Sequence, residues 1–145
     1  MIIKNYDYTE FKNVIKIFLN VYTGSPWNDQ WDYDRAELYL KSFISNPSFV
    51  GYLAYNNDQL IGVCVGERKY WWQGDEYYIN EIFIDRPFQR KGIGSKFLNL
   101  IQNELKQKGI GTITLLTVKR NPADIFYKVN GFKDKDVMTF KYKNF

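Results

Sequence analysis

The stretch Gln89–Lys96, QRKGIGSK, places one amide side chain and three basic residues around two glycines separated by a single residue. Residues of these types at this spacing suit the holding of phosphate. Glycine lets the backbone approach oxygen closely, the amides at a helix N-terminus carry partial positive charge, and Arg90 and Lys91 add charge-assisted contacts. A nucleotide-triphosphate loop needs G-x-x-x-x-G-K-[ST], a spacing that is absent here, and no second acidic motif follows a suitable strand. A dinucleotide turn needs G-x-G-x-x-G after a βαβ entry. Gly92 and Gly94 fill its first two places, but Phe97 occupies the third. What the turn itself leaves open is a pyrophosphate cradle at a helix start, or a plain glycine turn with solvated bases.

Absent residue types narrow the chemistry further. The chain contains no histidine, which removes Ser-His-Asp and Cys-His catalysis and histidine-ligated metals. Its single cysteine, Cys64, rules out an internal disulfide and a cysteine zinc cluster. Cys64 lies in the apolar run Ile61–Val65 and reads as a buried, inert thiol. No metal is expected. The net charge of +4 is unevenly spread, with Asp29, Asp32, Asp34 and Glu37 early and Arg86, Arg90, Lys91 and Lys96 around the glycine turn. The basic group suits a polyanionic ligand, and the excess is too modest to favour nucleic acid.

These groups need a scaffold. A length of 145 residues fits a single domain spanning 1–145, and 45% hydrophobic with 19% aromatic residues is enough for a real core. No apolar run approaches the roughly 18 residues of a membrane span. The opening MIIKNYDYTEFKN lacks the apolar centre of a signal peptide. A soluble, cytoplasmic protein is expected. Helical spacing runs from Thr9, as N-cap, to about Tyr22, and again over Tyr33–Ile44. Strands are expected at Ile2–Ile3, Phe49–Tyr55, Gln59–Lys69 and Glu76–Asp85, the last three as an antiparallel meander. A helix over Gly94–Lys108 follows, then a strand Thr112–Val118 and a short helix capped by Asn121 with Pro122 in its first turn. Gly131 closes that helix, and Val137–Tyr142 alternates as a last strand. The order implies one mixed sheet with helices on its faces.

In this context the span Tyr78–Phe132 resembles the GNAT superfamily of acyl-CoA-dependent N-acetyltransferases. Three pieces carry the resemblance. YINEIFIDRPFQRKGIGSKFL looks like the acyl-CoA motif Q/R-x-x-G-x-G/A, with Gln89, Gly92 and Gly94 in the defining places. TLLTVKRN looks like the strand and asparagine that follow it. ADIFYKVNGF is similar to the late signature, in which a tyrosine precedes G-F by a few residues. The resemblance implies an α/β, α+β-like GNAT fold: a mostly antiparallel mixed sheet of six to seven strands flanked by about four helices. It implies acetyl-CoA as acyl donor, with the pantetheine arm beside Ile82, Phe83 and Ile84. The pyrophosphate would lie over Gln89, Arg90, Lys91, Gly92, Ile93, Gly94 and Ser95, with Asn121 and Phe126 also near the cofactor.

By the same resemblance Tyr127 matches the general acid that protonates the departing thiolate. Glu81 is the candidate base for an amine that arrives protonated. Strand alternation puts Tyr77, Ile79, Glu81 and Phe83 on one face and Tyr78, Asn80, Ile82 and Ile84 on the other. The acceptor wall is expected between the first two helices, at Tyr22, Trp27, Asp29, Trp31 and Asp32, where aromatic faces and carboxylates suit a cationic amine. PWNDQW resembles, more weakly, aminoglycoside 6'-N-acetyltransferases. The implied reaction is acetyl transfer to a small-molecule amine such as an aminoglycoside or polyamine, by a monomer or homodimer. A peptide or protein N-terminus or a lysine is the alternative acceptor. A non-catalytic acyl-CoA sensor of the same fold is the alternative function. Tyr70-Trp71-Trp72 suits either a surface contact or ordinary core.

Overall fold

Three long runs rich in β-branched and aromatic residues form the centre of the sheet in this computed structural model, which describes residues Met1–Phe145. They are β2 (Phe49–Asn56), β3 (Gln59–Trp71) and β4 (Gly74–Ile84), flanked by β1 (Ile2–Asn5) and β5 (Thr112–Thr114). The strand order is β1-β2-β3-β4-β5. Every pair is antiparallel except β4 with β5, which is parallel. The two tight turns of the meander use left-handed residues, Asn57 at φ 55° and Gly74 at φ 138°.

Alternation along β2 and β3, broken by a bulge at Ile61 between Leu60 and Gly62, splits the apolar residues between two layers. Leu53, Val63 and Val65 face α1 (Phe11–Tyr22) and α2 (Tyr33–Ile44), and pack with Val14, Ile15, Phe18, Ala36 and Leu40. Tyr52, Ile61 and Cys64 face α3 (Ile93–Gln107), whose Phe97, Leu98, Ile101 and Leu105 cover them. Each fully buried Leu, Ile or Phe contributes about 1.5–3 kcal/mol relative to exposure, so both layers are needed to hold the sheet. Cys64 is buried as expected: burial pushes its thiol up to about 12, and its Sγ lies 3.6 Å from the Tyr77 hydroxyl.

One irregularity decides the direction of the functional side chains. The β3–β4 register passes from Gly66↔Ile79 to Val65↔Glu81, leaving Asn80 as an extra residue in a β-bulge. Uniform alternation along β4 therefore fails. Tyr77 and Ile79 belong to the α3 layer, whereas Phe83 belongs to the α1–α2 layer and Ile82 and Ile84 to that of α3. The bulge turns Glu81 away from Tyr77 and Ile79 and towards the two N-terminal helices.

Other boundaries shift for local reasons. Asp7, rather than Thr9, caps the first helical segment, accepting from the Thr9 amide and hydroxyl. A 3-10 turn at Tyr8–Glu10 precedes α1. The strand expected over Thr112–Val118 pairs only through Thr114, and Val137–Tyr142 joins no sheet. The sheet thus has five strands instead of six or seven. Four α-helices flank it, the last being α4 (Pro122–Val129). No helix is long and apolar enough to cross a membrane.

Candidate active site

Glu81 sits at the junction of the sheet with α1 and α2. Its Oε2 accepts from the Tyr22 hydroxyl at 3.1 Å and its Oε1 from the Tyr39 hydroxyl at 2.5 Å. Burial raises the carboxyl above its ordinary value; the Tyr39 and Tyr22 hydrogen bonds pull it down, and Asp29 pushes it up again. Burial is also the first cause that raises both phenols, followed by the Glu81 charge, so both stay protonated and remain donors. Tyr39 is a partner of Glu81 that sequence reasoning missed. It occupies the same helix face as Ala36, Leu40 and Phe43, which read as plain core. The signal was its hydroxyl, because a tyrosine on a core-facing stripe needs a polar partner.

The aromatic wall expected between the first two helices forms here. Trp27 packs on Tyr22 with centroids 5.6 Å apart, and Trp31 packs on Phe18 at 5.1 Å and on Tyr39 at 5.0 Å. Both tryptophans also seal the first core layer, so they staple the helices as well as line the site. Asp29 is exposed and close enough to act on Glu81. Asp32 is used differently: its carboxylate caps α2, accepting from the Arg35 amide at 2.8 Å.

Arg86 belongs to this wall rather than to the basic group at the glycine turn. Its guanidinium donates to the carbonyls of Asn20, Val21 and Ser25 at 2.6–3.1 Å, closing the C-terminal end of α1 and anchoring the loop after it. Asp85 beside it accepts from the Asn20 amide group at 2.7 Å. A Cβ on Gly24 would overlap that guanidinium. Gly24→Ala is therefore expected to cost about 1 kcal/mol. Thermal denaturation should show this as a midpoint lowered by ~2–4 °C. An unchanged midpoint would make the anchor dispensable.

On the other side of Glu81 the sheet opens. β5 pairs with β4 only at Glu76, Tyr77 and Tyr78. From Ile79 to Ile84 the same edge of β4 has no strand beside it, a slot of about 20 Å at the usual rise per residue. Ile82, Phe83 and Ile84 lie along this slot. Gln89 follows the 3-10 turn Arg86–Phe88 and donates to the Ile84 carbonyl at 2.8 Å, fixing the turn against the end of β4.

The glycine turn leads from the slot into α3. Arg90 and Gly92 adopt left-handed conformations, φ 59° and 74°. Gly92 is the N-cap of α3, and no side chain caps this end. The amides of Ile93, Gly94 and Ser95 thus point outward at the positive end of a 15-residue helix. A Cβ on Gly92 would meet nothing within 4 Å, so that glycine serves the backbone conformation. Gly94 serves packing, since a Cβ there would press on the Phe126 ring at 3.3 Å. Open slot and uncapped helix start, in sequence, fit a linear arm ending in a pyrophosphate.

α4 supplies the last wall. Asn121 caps it, accepting from the Asp124 amide at 2.8 Å, and Asp124 accepts from the Arg120 amide at 2.8 Å. The Tyr127 ring lies between Phe126 and Phe132, with centroids 5.4 Å from each. Burial first, then the nearby Cys64 and Glu81, raise the Tyr127 hydroxyl above the ordinary phenol value. The structure therefore assembles Tyr22, Tyr39, Glu81 and Tyr127 around the foot of the slot, from four different elements.

Known proteins share this fold. A possible acetyltransferase from Clostridium difficile 630 superposes with a TM-score of 0.83 at 17% identity, over 99% of this chain and 97% of that one. AAC(6')-Iy, in complex with the bisubstrate analogue CoA-S-monomethyl-acetylneamine, superposes with a TM-score of 0.72 at 16% identity, over 99% of this chain and 97% of that one. At these identities the likeness concerns the fold. N-alpha-acetyltransferase 30 of Dictyostelium discoideum is 32% identical over 82 residues, 56% of this chain; the match spans only 44% of that protein's length. The sequence profile of the Acetyltransferase (GNAT) family matches residues 11–132, so the chain belongs to that family.

Proposed function

We propose that this protein is an N-acetyltransferase that transfers the acetyl group of acetyl-CoA to a primary amine of a small cationic acceptor by direct attack. The observation that carries this reading is the Glu81 carboxylate, held by two phenols at the foot of the open β4 edge. The slot and the bare N-terminus of α3 would hold the donor, with Arg90 and Lys91 beside the pyrophosphate. The bound donor supplies an acetyl thioester; the rest falls to the protein. An aliphatic amine has a pKa of about 10.4 and arrives charged, attracted by Asp29 and the faces of Trp27 and Trp31. Glu81 takes its proton, and its raised pKa makes it a better base than an exposed carboxylate. Main-chain amides near Phe83 and Ile84 would receive the developing negative charge on oxygen. Tyr127 would donate to the departing thiolate.

The solved neighbour AAC(6')-Iy, with its CoA-based bisubstrate analogue, supports both the donor and an aminoglycoside-like acceptor. The match to an N-alpha-acetyltransferase supports a second reading, in which a peptide N-terminus is the acceptor. Thiol release from acetyl-CoA across aminoglycosides, polyamines, N-terminal peptides and lysine peptides separates the two. Saturable release is expected with the small amines. Release with peptides alone would establish the second reading. Silence on every amine with CoA still bound would point to a sensor.

Donor binding has its own test. Acetyl-CoA at a hundredfold excess over its Kd is expected to stabilise the protein by about 2.7 kcal/mol. For a domain of this size that raises Tm by roughly 5–10 °C. Gly92→Glu puts a carboxylate beside the α3 amides and a side chain into a left-handed position. It is expected to abolish the shift. A full shift in the variant would place the pyrophosphate elsewhere.

A further inference from the structure

We propose that Glu67 and Tyr78 form a second ammonium site next to Glu81, and that the preferred acceptor is a diamine whose far nitrogen displaces the Lys69 side chain from it. The inference rests on the reading of Glu81 as the base that faces the reacting amine. Glu67 and Tyr78 stand directly opposite each other on β3 and β4. Glu81 stands opposite Val65, two residues before Glu67 on β3. The bulge turns Glu81 onto the face of Val65, which packs with the two N-terminal helices. A two-residue step along β3 returns Glu67 to that same face. The two acids are thus diagonal neighbours, about 7–8 Å apart at the backbone.

The site already holds a cation of the chain's own. The Lys69 ammonium lies 3.3 Å from Glu67 Oε1 and 5.3 Å from the centroid of the Tyr78 ring. Lys69 has another acid directly across the sheet, Glu76, and forms no ion pair with it. A carboxylate beside a ring face holds an ammonium better than a lone carboxylate, because cation–π attraction adds to the ion pair. Glu67 is also set in place. Its Oε2 accepts from the Asn46 side-chain amide at 2.8 Å, which leaves Oε1 to the cation. Lys69 is a displaceable occupant: its side chain is 48% exposed against 23% for Glu67, and an exposed lysine pair is weak. It stands at the base of a hairpin tip, Tyr70-Trp71-Trp72, that is itself exposed, so it can swing into solvent.

Phenols fill the distance between the two acids. Burial raises the Tyr78 hydroxyl, Lys69 lowers it, and Glu67 and Glu81 both raise it, so it lies within reach of either carboxylate. Tyr39, raised by burial, by Glu81 and then by Tyr78, links this ring to the hydrogen bond on Glu81. A carbon chain between two ammonium groups would lie along these rings with a carboxylate at each end. A monoamine uses one end only. Linear diaminoalkanes and diamino sugars share the second ammonium that the site would recognise.

Thiol release from acetyl-CoA with diaminobutane, diaminopentane, a diamino sugar and a monoamine of matched length tests the proposal. The wild type is expected to favour a diamine in kcat/KM, and the arm that shows the preference identifies the source of the second ammonium. Glu67→Gln should cut the diamine-to-monoamine ratio about tenfold, the worth of one charge-assisted contact. Lys69→Ala should raise that ratio severalfold, because it vacates the site. A ratio that keeps its wild-type value in both variants would overturn the proposal. So would Lys69→Ala raising kcat/KM for diamine and monoamine alike, since that is a change of overall field. Silence with every amine would count against the acetyltransferase reading alone, and calorimetric titration of each diamine then reads the site. Binding weakened about tenfold by Glu67→Gln would support it. Binding that is absent, or equal in both proteins, would overturn it.

Discussion

Glu81→Gln is expected to lower kcat/KM by at least about 10²-fold, within the usual worth of a general base, while leaving the protein as stable at pH 8 or more so. The two effects have one cause. Burial raises the Glu81 carboxyl, and the phenols of Tyr39 and Tyr22 only partly offset it. A raised carboxyl is a stronger base, and it also means that the folded state resists ionisation. Below the ordinary carboxyl range of about 4.3 the group is protonated in both folded and unfolded chains and no penalty exists. As pH rises through the raised value, the unfolded chain ionises more readily than the folded one, and stability is lost. Glutamine removes that loss. The Tm difference between variant and wild type should open above about pH 4.3 and level off once Glu81 is fully ionised. The wild-type pH profile of kcat/KM should carry an acid limb displaced upward from the ordinary carboxyl range. A variant with wild-type kcat/KM would remove Glu81 as base, whatever its stability.

The pairing of Glu81 with two phenols was only half legible in the sequence. Tyr22 was legible because it ends a helical stripe next to the aromatic loop. Tyr39 was hidden, because spacing reports which face a residue occupies and not where a hydroxyl will find its partner. The bulge at Asn80 was hidden for a similar reason. A run such as Tyr77–Phe83 reads as uniform alternation, and only the pairing with β3 reveals the extra residue. That residue reverses the face on which Tyr77 and Ile79 were expected relative to Glu81. Arg86 read as part of a phosphate-seeking group, yet its three carbonyl partners come from a helix end some 60 residues away in sequence. What was legible was local: the cap at Asn121, the span of α2, the turn at Gly92. Each depends on a few neighbouring residues. The last strand failed for the opposite reason, since alternation over Val137–Tyr142 states a capacity to pair and says nothing of whether an edge is within reach.

Tyr127→Phe is expected to lower kcat by about 10²-fold and to leave the acetyl-CoA thermal shift intact. The ring of Tyr127 packs between Phe126 and Phe132, and phenylalanine keeps that packing. Only the hydroxyl is lost. That hydroxyl is raised above the ordinary phenol value, so it carries its proton throughout any working pH range. It is also a weaker acid than the thiol it would serve, whose ordinary pKa is about 8.5, so complete transfer to the thiolate runs uphill. In the proposed reaction the group would therefore act chiefly by donating a hydrogen bond as charge develops on sulfur, with the proton following from solvent once the product is free. This distinguishes two outcomes. If hydrogen-bond donation dominates, the loss in the variant should shrink with acyl donors whose leaving thiols are more acidic, because less charge needs stabilising. If full proton transfer controlled the step, wild-type kcat would instead show a large solvent deuterium isotope effect that the variant lacks. Equal kcat in variant and wild type, with either class of donor, would remove Tyr127 from the reaction and leave it as a packing residue of α4.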